Sequence, residues 1–265
     1  MKTQIRLNSV VPHGVSGPDA GAIELIYEAL MIEYKQSAYR YISINQIGND
    51  LDEVMIKEGK NMHLNIRYPS PADFNLKTDE EKNRIRLDVL HSALIRIAEK
   101  DKKLDIEPLE AIKNKILDNK FSFDFVIKTY LNKKNKNLSA KLIVHPSTDK
   151  FDYYIQIDEQ NQLKCNLLIY SGGTTGSYVA DLFKLGKWKN DNNFILSGKS
   201  GEVEIYITID QCKVDYVNLT RYEKAPLFEM FRSNNSQEER DKAKKNWSHS
   251  LPPAISGITR PDTEN

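Results

Sequence analysis

The sequence predicts an α+β protein: a mainly antiparallel sheet packed against two or three helices. Two observations carry that expectation. Apolar residues recur at helical spacing across residues 19–38 and 79–119, then at every second position from Phe121 onward. The strand-like runs between 121 and 170 also follow one another with only short polar loops between them, such as NKKNKN and DEQNQ. Loops that short cannot carry a parallel crossover, so these runs form a four-strand antiparallel meander.

Each element has a local reason. Ile5 and Leu7 alternate with polar neighbours in a first strand over residues 3–11. The loop PHGVSGPDAG leads into a helix over 19–38. Ser16 caps it, Pro18 opens it, and Ile23, Ile26, Tyr27, Leu30 and Tyr34 form one apolar stripe. A strand over 40–47 follows, and after it the acidic stretch NDLDEVMIKEG. In MHLNIRY, Met62, Leu64, Ile66 and Tyr68 face one way while His63, Asn65 and Arg67 face the other. Thr78-Asp79-Glu80-Glu81 is a capping box, and the helix it opens reaches about Asp101 on a core face of Ile85, Leu87, Leu90, Leu94 and Ile97. A second helix over 106–119 carries Leu109, Ile112 and Ile116, with Pro108 in its first turn.

In the meander, Phe121, Phe123, Phe125, Ile127 and Leu131 form the alternating apolar row of the first strand. SGGTTGS then opens a short helix, YVADLFKLG, which Gly186 ends. A hairpin over 202–219 turns near Gln211. A second capping box, Ser236 to Glu239, starts a charged short helix, and the prolines after Ser248 give a mobile tail. The expected organisation is a β-α-β subregion over 1–75, a helical hairpin and antiparallel sheet over 76–235 continuous with it, and the short helix and tail over 236–265.

Composition narrows the function classes. The 265 residues are 40% apolar and 28% charged, enough for a core and too apolar for disorder throughout. No apolar run is long enough to span a membrane, and MKTQIRLNSVV lacks the apolar centre of a secretory signal, so the expected location is the cytoplasm. In that setting Cys165 and Cys212, both in strand-like segments, read as two buried thiols. Lys and Arg number 38 against 37 Asp and Glu, a net charge of +1, which argues against a dedicated duplex-binding protein.

The chemistry-bearing motifs are few. Gly172, Gly173, Thr174, Thr175, Gly176 and Ser177 join a strand to a helix, a place where converging backbone N–H groups can hold an anion. The lysine of a phosphate-binding P-loop is missing. His13, Ser16 and Asp19 stand together in the first loop, where the cap and the proline already explain them. His91 lies mid-helix near Asp88, with a surface or half-buried role expected. Asp50, Asp52 and Glu53 lack the spacing of a calcium loop. No cofactor or metal is implied.

Lys133, Lys134 and Lys136 gather at one hairpin tip, and Lys184, Lys187 and Lys189 surround Trp188, a mix that single-stranded nucleic acid uses. Thirteen tyrosines include the neighbours Tyr39 and Tyr41, and Trp247 and Leu251 place apolar area on the tail. The function expected is recognition of another protein, without catalysis, as in an immunity or defence-system component. Tyr39, Tyr41, Trp188, Trp247 and Leu251 are its contact residues. The alternatives are a phosphate- or nucleotide-binding enzyme using residues 172–177, and a single-stranded nucleic-acid binder using the lysines.

Overall fold

A computed structural model of the chain describes residues 3–9, 14–15, 20–69, 71–148, 150–172, 183, 185–198 and 204–217. The fold is α+β: among the described residues all three sheets contain antiparallel pairs, and the first also contains parallel ones. The described residues of Met1–Asp124 and Pro146–Lys150 form one compact unit, and those of Phe125–His145 and Phe151–Asn265 form another. The second capping box and the expected tail lie outside the described residues.

In the first unit β1 (Gln4–Ser9), β2 (Tyr41–Ile47), β3 (Met55–Glu58) and β4 (Asn61–Arg67) form a sheet in the order β1-β2-β4-β3. The strands β1, β2 and β4 run parallel, and β3 is antiparallel to β4. The acidic stretch after β2 thus contains a short strand that its polar composition hid. Gly59, at φ 61, takes the left-handed position that turns β3 into β4. Helix α1 (Gly21–Glu33) links β1 to β2, and α2 (Asp79–Asp101) and α3 (Ile106–Asp118) follow. Ile5, Ile42, Ile44, Met62, Leu64 and Ile66 on the sheet, Ile26 and Leu30 on α1, and Leu87, Leu90, Leu94 and Ile97 on α2 are all buried. The capping box forms as its sequence dictates: Thr78 Oγ1 accepts from the Glu81 N–H, and Glu81 accepts from the Thr78 N–H.

Two side chains of α1 finish the edge of this sheet. β1 has a neighbour strand on one side, which leaves alternate N–H groups facing outward. Glu28 accepts from the Ile5 N–H and Glu24 from the Leu7 N–H, each at 2.7 Å. Carboxylates spaced one helical turn apart stand in for the missing strand. The helix ends at Glu33, short of the expected residue 38, because Lys35 turns left-handed at φ 58 and Gln36 folds inward to bond both ways with Asp105 at the start of α3.

In the second unit β5 (Phe125–Leu131), β6 (Leu138–Pro146), β7 (Phe151–Glu159) and β8 (Gln162–Gly172) form the expected meander, in the order β5-β6-β7-β8. The hairpin over 202–219 is present as β11 (Glu204–Thr208) and β12 (Lys213–Val217). It belongs to a separate four-stranded sheet with β9 (Leu185–Asn190) and β10 (Asn193–Ser197), in the order β12-β11-β10-β9.

Two details of this unit correct the sequence reading. Gly186 does not end a helix; it lies within β9. A Cβ there would come within 2.5 Å of the Tyr130 ring, so the close approach of strand and ring requires glycine. The apolar row expected along β5 also breaks. Val126 pairs with Ile143 and Lys128 with Leu142, so Ile127 is an extra, bulged residue that shifts the alternation by one. Tyr130 turns in, 7% exposed, and Leu131 turns out, 68% exposed.

Candidate functional site

The C-terminal ends of parallel strands are where open α/β sheets ordinarily hold ligands. Here Gln46, fully buried at the end of β2, closes that position. Its Oε1 accepts from Ser9 Oγ at 2.6 Å and from the Val15 N–H at 2.9 Å, and its Nε2 donates to the Tyr68 carbonyl at 2.8 Å. Arg86 donates from Nε to the Val15 carbonyl at 3.0 Å. The chain's own polar groups therefore occupy these strand ends.

The second polar constellation is buried between helices. His91 is 4% exposed, more deeply buried than expected for it, because it faces α1 and α3 instead of solvent. Its Nε2 lies 3.2 Å from Glu110 Oε1 and its Nδ1 2.9 Å from Tyr27 Oη. A carboxylate can only accept, so Nε2 carries the proton and Nδ1 accepts from the Tyr27 hydroxyl. Burial lowers the imidazole's affinity for a proton, and Glu110 opposes that less strongly. A tyrosine, a histidine and a glutamate in series make a proton relay in chemical terms, yet Tyr27 is fully buried. The trio joins three helices.

Carboxylates elsewhere on this unit face cations. Glu53 is hydrogen-bonded to Arg96 and accepts from the Arg67 N–H, which holds its carboxyl below the usual range. Asp52 pairs with Arg67 at 3.2 Å. Among the described residues, no group of three or more His, Cys, Asp or Glu side chains is arranged to hold a metal ion.

The expected contact residues are placed as follows. Tyr39 is 1% exposed and donates its hydroxyl to Asp101, so its ring belongs to the interior. Tyr41 is half-buried, its ring 6.2 Å from that of His63. Trp188 on β9 donates from Nε1 to the Tyr130 carbonyl at 3.0 Å and packs on Phe194 at 5.1 Å. Lys187 and Lys189 are exposed on the opposite face of β9, since successive strand residues point apart, so lysine and indole do not share one surface. Gly172 ends β8, while Gly173, Thr174, Thr175, Gly176, Ser177, Lys184, Trp247 and Leu251 lie outside the described residues.

Exposed apolar side chains collect instead on β5, an edge strand of the meander. Val126 is 55% exposed, Ile127 43% and Leu131 68%. The bulge places them there: it carries Tyr130 inward, where its hydroxyl donates to the Phe183 carbonyl at 2.9 Å and its ring packs on Phe194. The hairpin tip beyond Leu131 has a fixed shape. Asn132 is 3% exposed; its Oδ1 accepts from the N–H groups of Lys134 and Asn135, and its Nδ2 donates to Asp191 at 3.0 Å. Lys133, Lys134 and Lys136 are thereby held exposed next to the apolar edge. The sequence signal for this surface was half present, in the clustered lysines, and half hidden, because Ile127 and Leu131 read as core.

Comparison with protein-family models, with curated proteins and with solved structures finds no match for this chain. No helix among the described residues is long and apolar enough to cross a membrane.

Proposed function

We propose that the protein is a cytoplasmic recognition protein without catalytic activity, which holds an extended segment of another protein along β5. The observation that carries this reading is the row Val126, Ile127 and Leu131, exposed on an edge strand beside three exposed lysines. An edge strand offers a ladder of backbone donors and acceptors to an added strand, and alternate side chains supply the specificity. Edge strands are commonly guarded by lysine or a bulge, and β5 has both in Lys128 and Ile127. Those guards account for resistance to self-pairing. They give no reason for three large apolar side chains to face water. The occupant that fits is an extended segment with apolar residues opposite β5 and acidic residues opposite the lysine tip.

A displayed library of random peptides, selected on the full chain, tests this. The selected peptides should alternate apolar residues, carry acidic residues at one end and protect β5 amides from hydrogen exchange. The double variant Val126→Lys and Leu131→Lys should bind them at least about tenfold more weakly with unchanged thermal stability, a loss of about 1.4 kcal/mol. Peptides that bind the double variant equally well, or protect amides elsewhere, overturn the proposal.

A further inference from the structure

The proposed recognition surface uses neither cysteine, and the two lie together. Cys165 stands on β8 opposite Ile157 and is 4% exposed. Cys212, expected to be buried in a strand, is exposed at the end of the turn 209–212 between β11 and β12. Its thiol is directed at β8: Sγ lies 3.6 Å from the Lys164 carbonyl oxygen and 3.7 Å from that of Ile209. Lys164 is the chain neighbour of Cys165, so this approach brings the Cys212 thiol beside Cys165. Both thiols are free.

The backbone on both sides is shaped for this approach. Asp158 pairs with Leu163 and Ile157 with Cys165, so Lys164 is the extra residue of a bulge with no partner of its own on β7. The bulge leaves its carbonyl to meet Cys212. Cys212 itself has φ 44, a left-handed conformation that glycine or asparagine takes with least strain. That strained position carries the thiol toward Cys165.

We propose that Cys165 and Cys212 are a redox-reactive pair that closes to a disulfide when the exposed Cys212 meets a hydroperoxide. The Cys212 thiolate attacks one oxygen of hydrogen peroxide; the O–O bond breaks, the sulfur becomes a sulfenic acid, and the other oxygen leaves as hydroxide and is protonated to water. The Cys165 sulfur then attacks the Cys212 sulfur. The S–O bond breaks, and the departing hydroxide takes the proton that Cys165 gives up, leaving as a second water. Two thiols and one peroxide thus give one disulfide and two waters. Burial, and then the neighbouring Cys212, push the Cys165 thiol up to about 12, so Cys165 reacts second. The bond ties β8 of one sheet to the β11–β12 turn of the other.

The test treats the full chain with hydrogen peroxide and maps peptides without reduction. A Cys165–Cys212 linked peptide should form, reverse with dithiothreitol, and be absent from Cys212→Ser, whose substitution lies in an exposed turn. The oxidised chain should melt several degrees higher than the reduced chain. In Cys165→Ala the same peroxide should leave Cys212 as a sulfenic acid that dimedone traps, with a melting temperature confirming that this variant is folded. Disulfide-linked dimers through Cys212, over-oxidation of Cys212 in the unmodified chain, or two thiols still free after treatment would each overturn the proposal.

Discussion

The partners of His91 hold its ring in one protonation state. It donates to Glu110 and accepts from Tyr27, an arrangement available only to the neutral ring. A second proton on Nδ1 would face the Tyr27 oxygen, whose hydroxyl would have to turn to the Leu109 carbonyl at 3.4 Å. The groups around the ring are Tyr27 on α1, Glu110 and Lys113 on α3 and Asp88 on α2; burial outweighs them and sets the proton affinity below the ordinary value of 6.5. The sign follows from linkage. Below about pH 6.5 the unfolded chain takes up a proton that folded His91 resists, so the unfolded state binds more protons and stability declines as pH falls toward the folded value. Above about 6.5 both states are neutral and the contribution is complete. His91→Leu removes this titration. Urea unfolding at about pH 7.5 and about pH 5.5 should show the unmodified chain losing more stability on acidification than the variant. Equal losses would mean that the ring titrates as it does in water.

Elements were legible wherever the hydrophobic period ran unbroken, and were misread where one residue interrupted it. Helices α2 and α3 and strand β4 stand close to where their spacing puts them, and the box at Thr78 and Glu81 forms as written. β5 shows the opposite case. Ile127 adds one residue to the strand, so the face pointing inward changes from odd to even positions, and Leu131 exchanges places with Tyr130. Nothing in FVIKTYL marks the bulge, because the bulge is set by the pairing with β6 rather than by local preference. β9 was missed because LGKWKN is polar on one face and its defining residue, Gly186, carries no apolar signal, and β10, NFILS, because its consecutive buried residues show no alternation. That glycine is testable at the scale of strand packing. Gly186→Ala places a methyl against Tyr130 and Phe194 within 2.7 Å and should destabilise the chain by about 1–3 kcal/mol through overpacking. Tyr130→Leu made in the same chain should recover part of that loss. Additive effects in a denaturant-unfolding double-mutant cycle would show that the ring is not what the methyl meets.

At the scale of the molecule, the division into two units does not follow the order of the chain. Among the described residues, helices α1, α2 and α3 and the sheet β1–β4 belong to the first unit and lie within Met1–Asp124. The first unit also takes Pro146–Lys150, the turn between β6 and β7, where Thr148 Oγ1 accepts from Asn83 Nδ2 at 2.8 Å. The strands that precede and follow this turn belong to the second unit. The later segment brings the first unit a buried proline, Pro146, and the Thr148 hydroxyl, whereas the buried apolar residues of β1, β2, β4 and the helices come from residues 5–116. The fragment Met1–Asp124 should therefore fold by itself, with a cooperative urea transition followed by helical circular dichroism and with dispersed amide resonances. Losing the hydroxyl partner of Asn83 should lower its stability by about 1 kcal/mol, and Thr148→Ala in the full chain should lower the unfolding free energy of this unit by a similar amount. If the fragment instead unfolds gradually, without a sigmoidal transition, then the helices and the sheet β1–β4 do not hold their core without the residues that follow Asp124, and the hydrophobic face read from positions 5–116 is insufficient for independent folding.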